Sequence, residues 1–213
     1  MKKILAMLLA LVMVLSLAAC ASTQPAAEPA ASSDAPAESG KTYTVGVCQL
    51  VQHEALDAAT QGFVDALKEA LGDAVTVDVQ NASGDSVNCG TIVNGFVSKG
   101  VDLIMANATP ALTAAVSATA DIPILGTSIT AYGVALDIDD FSGTVGGNVS
   151  GTSDLADLQK QAQMILDWFP ETKTVGLLFC SAEPNSRYQI DEVRKALEAQ
   201  GVTCEEFAFT DSN

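Results

Sequence analysis

The chain is short of positive charge. Ten Lys and Arg stand against 26 Asp and Glu, which leaves a formal net charge of −16. Binding to nucleic acid or to an anionic lipid surface runs on Lys and Arg, so charge excludes both. Histidine is nearly absent, with His53 the single one. Five cysteines are present, but they form no Cys-x-x-Cys and no Cys/His cluster. A zinc site is therefore not expected, and no metal or cofactor is assigned. No Gly-x-Gly-x-x-Gly follows the first strand-like run, and there is neither a Walker loop nor a Gly-x-Ser-x-Gly elbow. Dinucleotide, phosphate-loop and serine-hydrolase chemistry drop out, and no catalytic residue is assigned. Aromatic residues make up 5% of the chain, which is thin for a site that stacks sugar or nucleoside rings.

What is present is a leader, a tether and an alternating body. Met1-Lys2-Lys3 is a basic start, and Ile4 to Ala19 is apolar apart from Ser16. That run is short for a membrane span of ~20 residues and has the layout of a secretory signal. It ends Leu17-Ala18-Ala19-Cys20, which resembles a bacterial lipobox. The resemblance implies cleavage before Cys20 and a diacylglycerol on its thiol. Residues 21–40 are Ala, Pro, Ser, Glu and Asp without periodicity, too polar to fold and able to reach about 25 Å as a flexible tether. The expected organisation is 1–19 signal peptide, 20–40 lipidated Cys and tether, 41–135 first α/β lobe, 136–152 hinge or crossover, and 153–213 partial second α/β lobe.

In the body, strand-like runs alternate with helical stripes. Tyr43 to Val51 reads as a strand, and Leu56, Ala59, Phe63, Ala66, Leu67 and Ala70 mark a helix. Ala74 to Val79 is a second strand. A helix over Ser86 to Lys99 follows, weakened by Gly90 and Gly95 and ended by Gly100. Val101 to Met105 is a third strand. Thr109 offers a capping oxygen and Pro110 suits the first helical position, so a helix begins there. Its first N–H groups and dipole favour an anion such as a carboxylate. Ile122 to Leu125 is a fourth strand, ending in Gly126-Thr127-Ser128. Such alternation indicates a parallel sheet covered on both faces, with ligands expected beyond the carboxyl ends of the strands.

Ile129 to Gly151 shows no helical stripe and reads as the hinge. Leu155, Leu158, Ala162, Ile165 and Phe169 then mark a helix capped by Ser153 or Asp154 and stopped by Pro170. Thr174 to Cys180 and Val202 to Phe209 read as strands flanking a helix over Arg187 to Gln200. Trp168, on the edge of its stripe, is expected to pack. Tyr132 is either a hinge-side aromatic against a ligand ring or a turn residue. Cys180 and Cys204, on consecutive strands, are open to pairing. Thr210 to Asn213 resembles a helix start, so the second lobe is expected to continue in a longer chain.

Several short motifs, taken in order, carry a family resemblance. They are Val45 to Val51 with His53 and Ala55-Leu56-Asp57, Gln80-Asn81-Ala82-Ser83-Gly84-Asp85, Ala108-Thr109-Pro110-Ala111, Gly146 to Gly151 with Ser153-Asp154, and Glu183-Pro184-Asn185-Ser186. Together with the lipobox they resemble the ABC-transporter substrate-binding lipoproteins, in the branch related to tryptophan and tyrosine uptake. The resemblance implies a type I periplasmic-binding-protein fold of two parallel-sheet lobes with a hinge. It implies a small amino-acid-like solute clamped between the lobes, a membrane permease with a cytoplasmic ATPase as partner, a lipid-anchored extracytoplasmic location, a monomer, and no enzymatic activity. Carried over motif by motif, the candidate ligand residues are Gln49, His53, Asn81, Asp85, Asn107, Ala108, Thr109, Thr127 and Ser128 in the first lobe. Asp154, Glu183, Asn185 and Ser186 are the candidates in the second. Thr109 with Thr127 or Ser128 suits a carboxylate, and Glu183 or Asp154 suits an ammonium. Ser153, Asp154, Asn185 and Ser186 serve equally as helix caps, and Asn81 and Asp85 as turn residues. Two alternatives stay open: a sugar or nucleoside binder on the same frame, and a lobe that presents its ligand to a membrane receptor.

Overall fold

The computed structural model describes residues 40–210; the leader, Cys20 and nearly all of the tether lie outside the described residues. Strands and helices alternate as β1 Tyr43–Gln49, α1 Glu54–Leu71, β2 Val75–Asn81, α2 Ser86–Lys99, β3 Leu103–Asn107, α3 Thr109–Ala118 and β4 Ile124–Ile129. A single helical turn, α4 Tyr132–Ala135, precedes β5 Val149–Ser153. Then come α5 Leu158–Trp168, β6 Thr174–Cys180, α6 Pro184–Glu198 and β7 Thr203–Phe209. Among the described residues no helix is long and apolar enough to cross a membrane.

The first five strands form one sheet in the order β2-β1-β3-β4-β5, all parallel. From β1 the chain steps outward to β2 and then back across β1 to β3. Right-handed crossovers therefore put α1 on one face and α2 and α3 on the other. The reversal between β1 and β3 is a topological switch point, where a crevice opens beyond the strand ends. Val45, Val47 and Met105 are buried on the α1 side with Val64. The opposite side holds Cys48, Ile104, Ala106 and Ile124 under Cys89, Val93, Phe96, Leu112 and Ala115. Gly46 lets α2 lie close, because a Cβ there would stand 2.5 Å from Phe96 Cγ.

The second sheet pairs β6 with β7 in parallel. Helices α5 and α6 pack against each other, around a small cluster of Ala162, Ala196, Leu197 and Val202. Arg187 reaches from α6 to both Asp191 and Glu206 and lies over the Phe179 ring.

Several expectations are corrected. Residues 149–152, read as part of the crossover, and Ser153, read as the start of the second lobe, form β5, the fifth strand of the first sheet. The helix expected from Ser153 or Asp154 begins at Leu158, where Asp157 accepts from Lys160 N at 3.1 Å. Leu155 lies outside it and is exposed. Trp168 does not pack, being 75% exposed at the last turn of α5. Cys180 and Cys204 are both free thiols. Cys204 is in register with Val175, whereas Cys180 is in register with Phe209. Five residues of strand separate the two levels by about 16 Å at ~3.3 Å per residue, far beyond disulfide reach.

Candidate functional site

The crevice at the switch point is built from the last residues of β1 and β3, which are paired as Gln49 with Asn107. Both side chains turn inward. Gln49 is 4% exposed, and its Nε2 donates to Val51 O at 2.9 Å and Asp57 Oδ1 at 2.6 Å. Its Oε1 accepts from Thr60 Oγ1 at 2.7 Å. Asn107 is fully buried, and its Nδ2 donates to Leu56 O at 2.8 Å and Thr60 Oγ1 at 2.9 Å. One threonine of α1 thus ties the ends of two strands together. The sequence marked Gln49 and Asn107 for the ligand, but their amide nitrogens are engaged in holding the crevice floor. Thr60 was missed, because its role depends on partners far away in the chain.

Immediately after β3 the backbone bends sharply. Ala108 has φ 89° and ψ 158°, a region that residues with a Cβ occupy at a cost of about 1–3 kcal/mol. Its N–H donates to Thr127 O at 3.0 Å. Ala108 itself is the residue before the helix, so Thr109 becomes the first helical residue and Pro110 the second. This shifts the expected start by one position. Thr109 does not cap. Its side chain is 2% exposed, and its Oγ1 has no hydrogen-bond partner. Asn107 Oδ1 is likewise buried and unpartnered. An orphaned hydroxyl, an orphaned amide oxygen and the amino end of a ten-residue helix thus lie on one turn.

Around this centre the other first-lobe candidates are engaged in turns. His53 is exposed and caps α1, its Nδ1 accepting from Ala55 N at 3.2 Å. Asn81 Oδ1 accepts from Ser83 N at 2.7 Å. Asp85 caps α2 by accepting from Val87 N at 2.7 Å. The β4 end is irregular, with its register against β5 shifting between Gly126 and Ile129. Ser128 sits there at φ 56°. Thr127 lines a cavity of about 290 Å³ with Phe63, Met105 and Leu125, on the α1 side of the sheet. Tyr132 faces inward, 6% exposed. Its hydroxyl is shared between Gly126 O at 3.1 Å and Thr152 O at 3.2 Å. A Cβ on Gly126 or Gly151 would collide with that hydroxyl.

In the second lobe the candidates gather at the start of α6. Glu183 precedes the helix without capping it, and its Oε2 accepts weakly from Asn185 Nδ2 at 3.4 Å. Asn185 Oδ1 is buried and unpartnered. Ser186 Oγ accepts from Cys180 N at 3.0 Å and so serves the β6–α6 turn. Asp154 is exposed, with its N–H bound to Ile129 O at 3.1 Å. The structure brings the two lobes' helix starts to a shared cavity of about 440 Å³. Ser86 and Gly90 of α2 and Pro110 and Thr113 of α3 line one side, and Ala182 and Pro184 line the other. Among the described residues no group of three or more His, Cys, Asp or Glu could hold a metal ion.

Known proteins resemble this chain in sequence and in fold. Residues 44–213 match the family described as ABC transporter substrate binding protein. A protein named tyrosine-binding protein from Clostridioides difficile (strain R20291) is 36% identical over 199 residues, which is 90% of this chain and 56% of that protein. An ABC domain in complex with L-Trp from Streptococcus pneumonia superposes with a TM-score of 0.73 at 36% identity, covering 79% of this chain and 58% of that one. A ligand-free, open substrate binding protein with adhesive properties from Clostridium difficile superposes with a TM-score of 0.57 at 36% identity and the same coverage. The chain spans little more than half the length of these relatives. On the match across most of its length, the chain belongs to the ABC transporter substrate binding protein family.

Proposed function

We propose that the chain is the ligand-gripping part of an extracytoplasmic solute-binding lipoprotein, and that its solute is an aromatic amino acid. The observation that carries this reading is the turn at residues 107–109. Helix α3 offers N–H groups without intrahelical acceptors, and beside them Thr109 Oγ1 is buried and unpartnered. A carboxylate there accepts from both the N–H groups and the hydroxyl, and the helix dipole adds to the attraction. The ammonium of an amino acid needs an acid in return. Glu183 stands at the start of α6 without a capping duty, and Asp154 is exposed at the first residue after β5. Named relatives that bind tyrosine or carry L-Trp support an aromatic side chain on the ligand.

The remaining features belong to the same proposal. Met1 to Cys20 supply the signal and the lipid attachment, and residues 21–40 the tether. The partner is a membrane permease with a cytoplasmic ATPase. The protein acts as a monomer that closes on its solute, and the ligand favours closure only as far as it touches both lobes. No reaction is catalysed.

A thermal-shift screen against the twenty amino acids tests this. L-Tyr or L-Trp at about 100 times its dissociation constant stabilises by ~2.7 kcal/mol, a clear rise in melting temperature. A folded protein that shifts with none of the twenty overturns the amino-acid reading.

A further inference from the structure

Strand β5 leaves the first sheet through a break in its pairing. Ile124, Leu125 and Gly126 of β4 pair in turn with Val149, Ser150 and Gly151, and the next rung is Ile129 with Ser153. Between those rungs β4 has Thr127 and Ser128, whereas β5 has Thr152 alone. Such a bulge leaves a residue without its ladder partner. The Tyr132 hydroxyl fills the gap. It donates to either Gly126 O at 3.1 Å or Thr152 O at 3.2 Å, one carbonyl on each strand. Gly126 and Gly151 leave it room, since a Cβ on either would meet the hydroxyl. Beyond the bulge, Ser153 Oγ donates to Thr130 O at 2.9 Å and Asp154 N to Ile129 O at 3.1 Å. The hold then loosens. Leu155 N donates to Ser153 Oγ at 3.3 Å, and Leu155, Ala156 and Asp157 are exposed and lie in neither helix nor strand. Helix α5 of the second lobe starts at Leu158.

The turn that carries Tyr132 makes a second contact. Helix α4 is tied to α3, where Thr113 Oγ1 donates to Ala135 O at 3.3 Å. It also touches α6, and Val134 and Ala135 line the shared cavity with Ala182 and Pro184. One turn of helix therefore fastens the departing strand and bears on the second lobe. We propose that Tyr132 is a positioning residue for lobe closure, pinning β5 to β4 so that the pivot of this crossing falls on residues 155–157. Strand β5 has little of its own to hold it, because Val149 is its one large apolar side chain. Without the pin, the freedom of the crossing spreads back through Gly151, and the second lobe samples a wider set of orientations. With the exit strand fixed, the lobe swings about a short segment and meets its ligand in a repeatable pose. This inference rests on the two-lobe closure proposed above, and not on which solute is bound.

The test uses the full chain without ligand, isotopically labelled, as wild type, Tyr132→Phe and Val93→Ala. The last is a core truncation under α2, away from the crossing. Backbone N–H residual dipolar couplings in a weakly aligning medium read which lobe each residue moves with. Amide exchange reads the hold on β5. In the wild type the couplings of β5 and Asp154 are expected to fit the alignment of the first sheet, and those of α5 the alignment of the second. The change should fall inside residues 155–157. In Tyr132→Phe, residues 151–154 are expected to leave the first-sheet alignment, and their amides to exchange about tenfold faster, the worth of one lost hydrogen bond. Val93→Ala should change neither, which separates the pin from a general loss of stability. A wild-type change elsewhere, one common alignment for both sheets, or unaltered couplings in Tyr132→Phe overturns the proposal. So does the same response in Val93→Ala. The thermal-shift screen reads the solute and these couplings read the crossing, so either reading can fail alone.

Discussion

Thr109 carries a hydroxyl that is buried with nothing to bind. Such an orphan costs about 1–3 kcal/mol, so its presence makes sense where an added group completes it. Thr109→Val keeps the shape and removes the orphan. Stability in urea is expected to hold or rise by up to about 1 kcal/mol. Affinity for L-Tyr or L-Trp, read by calorimetry, should fall on the order of tenfold, the worth of one hydrogen bond to a charged group. A variant that loses stability and keeps its affinity would show the hydroxyl serving the fold. Tyr132 is the opposite case, a hydroxyl whose partners are both in the chain. Tyr132→Phe is expected to cost about 1–2 kcal/mol at neutral pH. Burial raises the Tyr132 pKa above its ordinary value. A group with a raised folded pKa contributes fully below its unfolded pKa and loses that contribution as pH rises through the folded one. The wild type should therefore lose stability from about pH 10 upward, and the Phe variant should lose less over the same range. Urea titrations at neutral and alkaline pH measure both effects.

Helix α2 contains three kinds of evidence about what holds an element in place. Its stripe of Cys89, Val93 and Phe96 is fully buried, and its start is capped by Asp85. Its interior carries Gly95, where a Cβ would meet nothing within 4 Å. Gly95→Ala is expected to stabilise by about 0.5–1 kcal/mol through helix propensity alone. Gly46→Ala, on the strand beneath, drives a methyl into the Phe96 ring and should destabilise by about 1–3 kcal/mol. Denaturant midpoints separate the two, and equal effects would contradict the packing described. At this scale the sequence was legible wherever periodicity was strong. The span of α2 was read in full, and the first four strands were found, because apolar residues recur at the right spacing. Strand β5 was invisible because Val149-Ser150-Gly151-Thr152-Ser153 has almost no side chain to bury. It is held instead by backbone pairing to β4 and by the Tyr132 hydroxyl. The α5 start was misread because Ser153, Asp154 and Asp157 share the same capping chemistry, and only tertiary placement selects Asp157. The parallel pairing of the first sheet was legible from the alternation of strands and helices. Which side chains face into the crevice was not, since Gln49 and Asn107 are turned inward by Thr60, a partner on α1.

Across the molecule the two sheets differ in how well they are covered. The first has helices on both faces, and its central strands β1 and β3 have hydrogen-bonded neighbours on each side. The second, among the described residues, has β6 and β7 alone. Along these strands the face bearing Leu178 and Phe207, a cross-strand pair, stays 71% and 52% exposed at those residues. A two-stranded sheet with one covered face gains little from burial and is marginal without further support. Its helices add a small cluster around Leu197 and Val202. The Arg187–Glu206 and Arg187–Asp191 ion pairs are partly exposed and are screened by solvent, so they add little. Local stability should then follow local burial. Amide hydrogen exchange is expected to be slowest in β1 and β3, intermediate in β4, and fastest among the strands in β6 and β7. The gap should span at least tenfold in rate, because opening the second sheet does not require opening the first. Exchange at one common rate in both sheets would mean that the lobes unfold as a single unit, contrary to the separation of their apolar clusters. Leu178→Ser and Phe207→Ser sharpen the comparison. Each removes exposed apolar surface rather than a buried contact, so neither should change the exchange rates of β1 or β3.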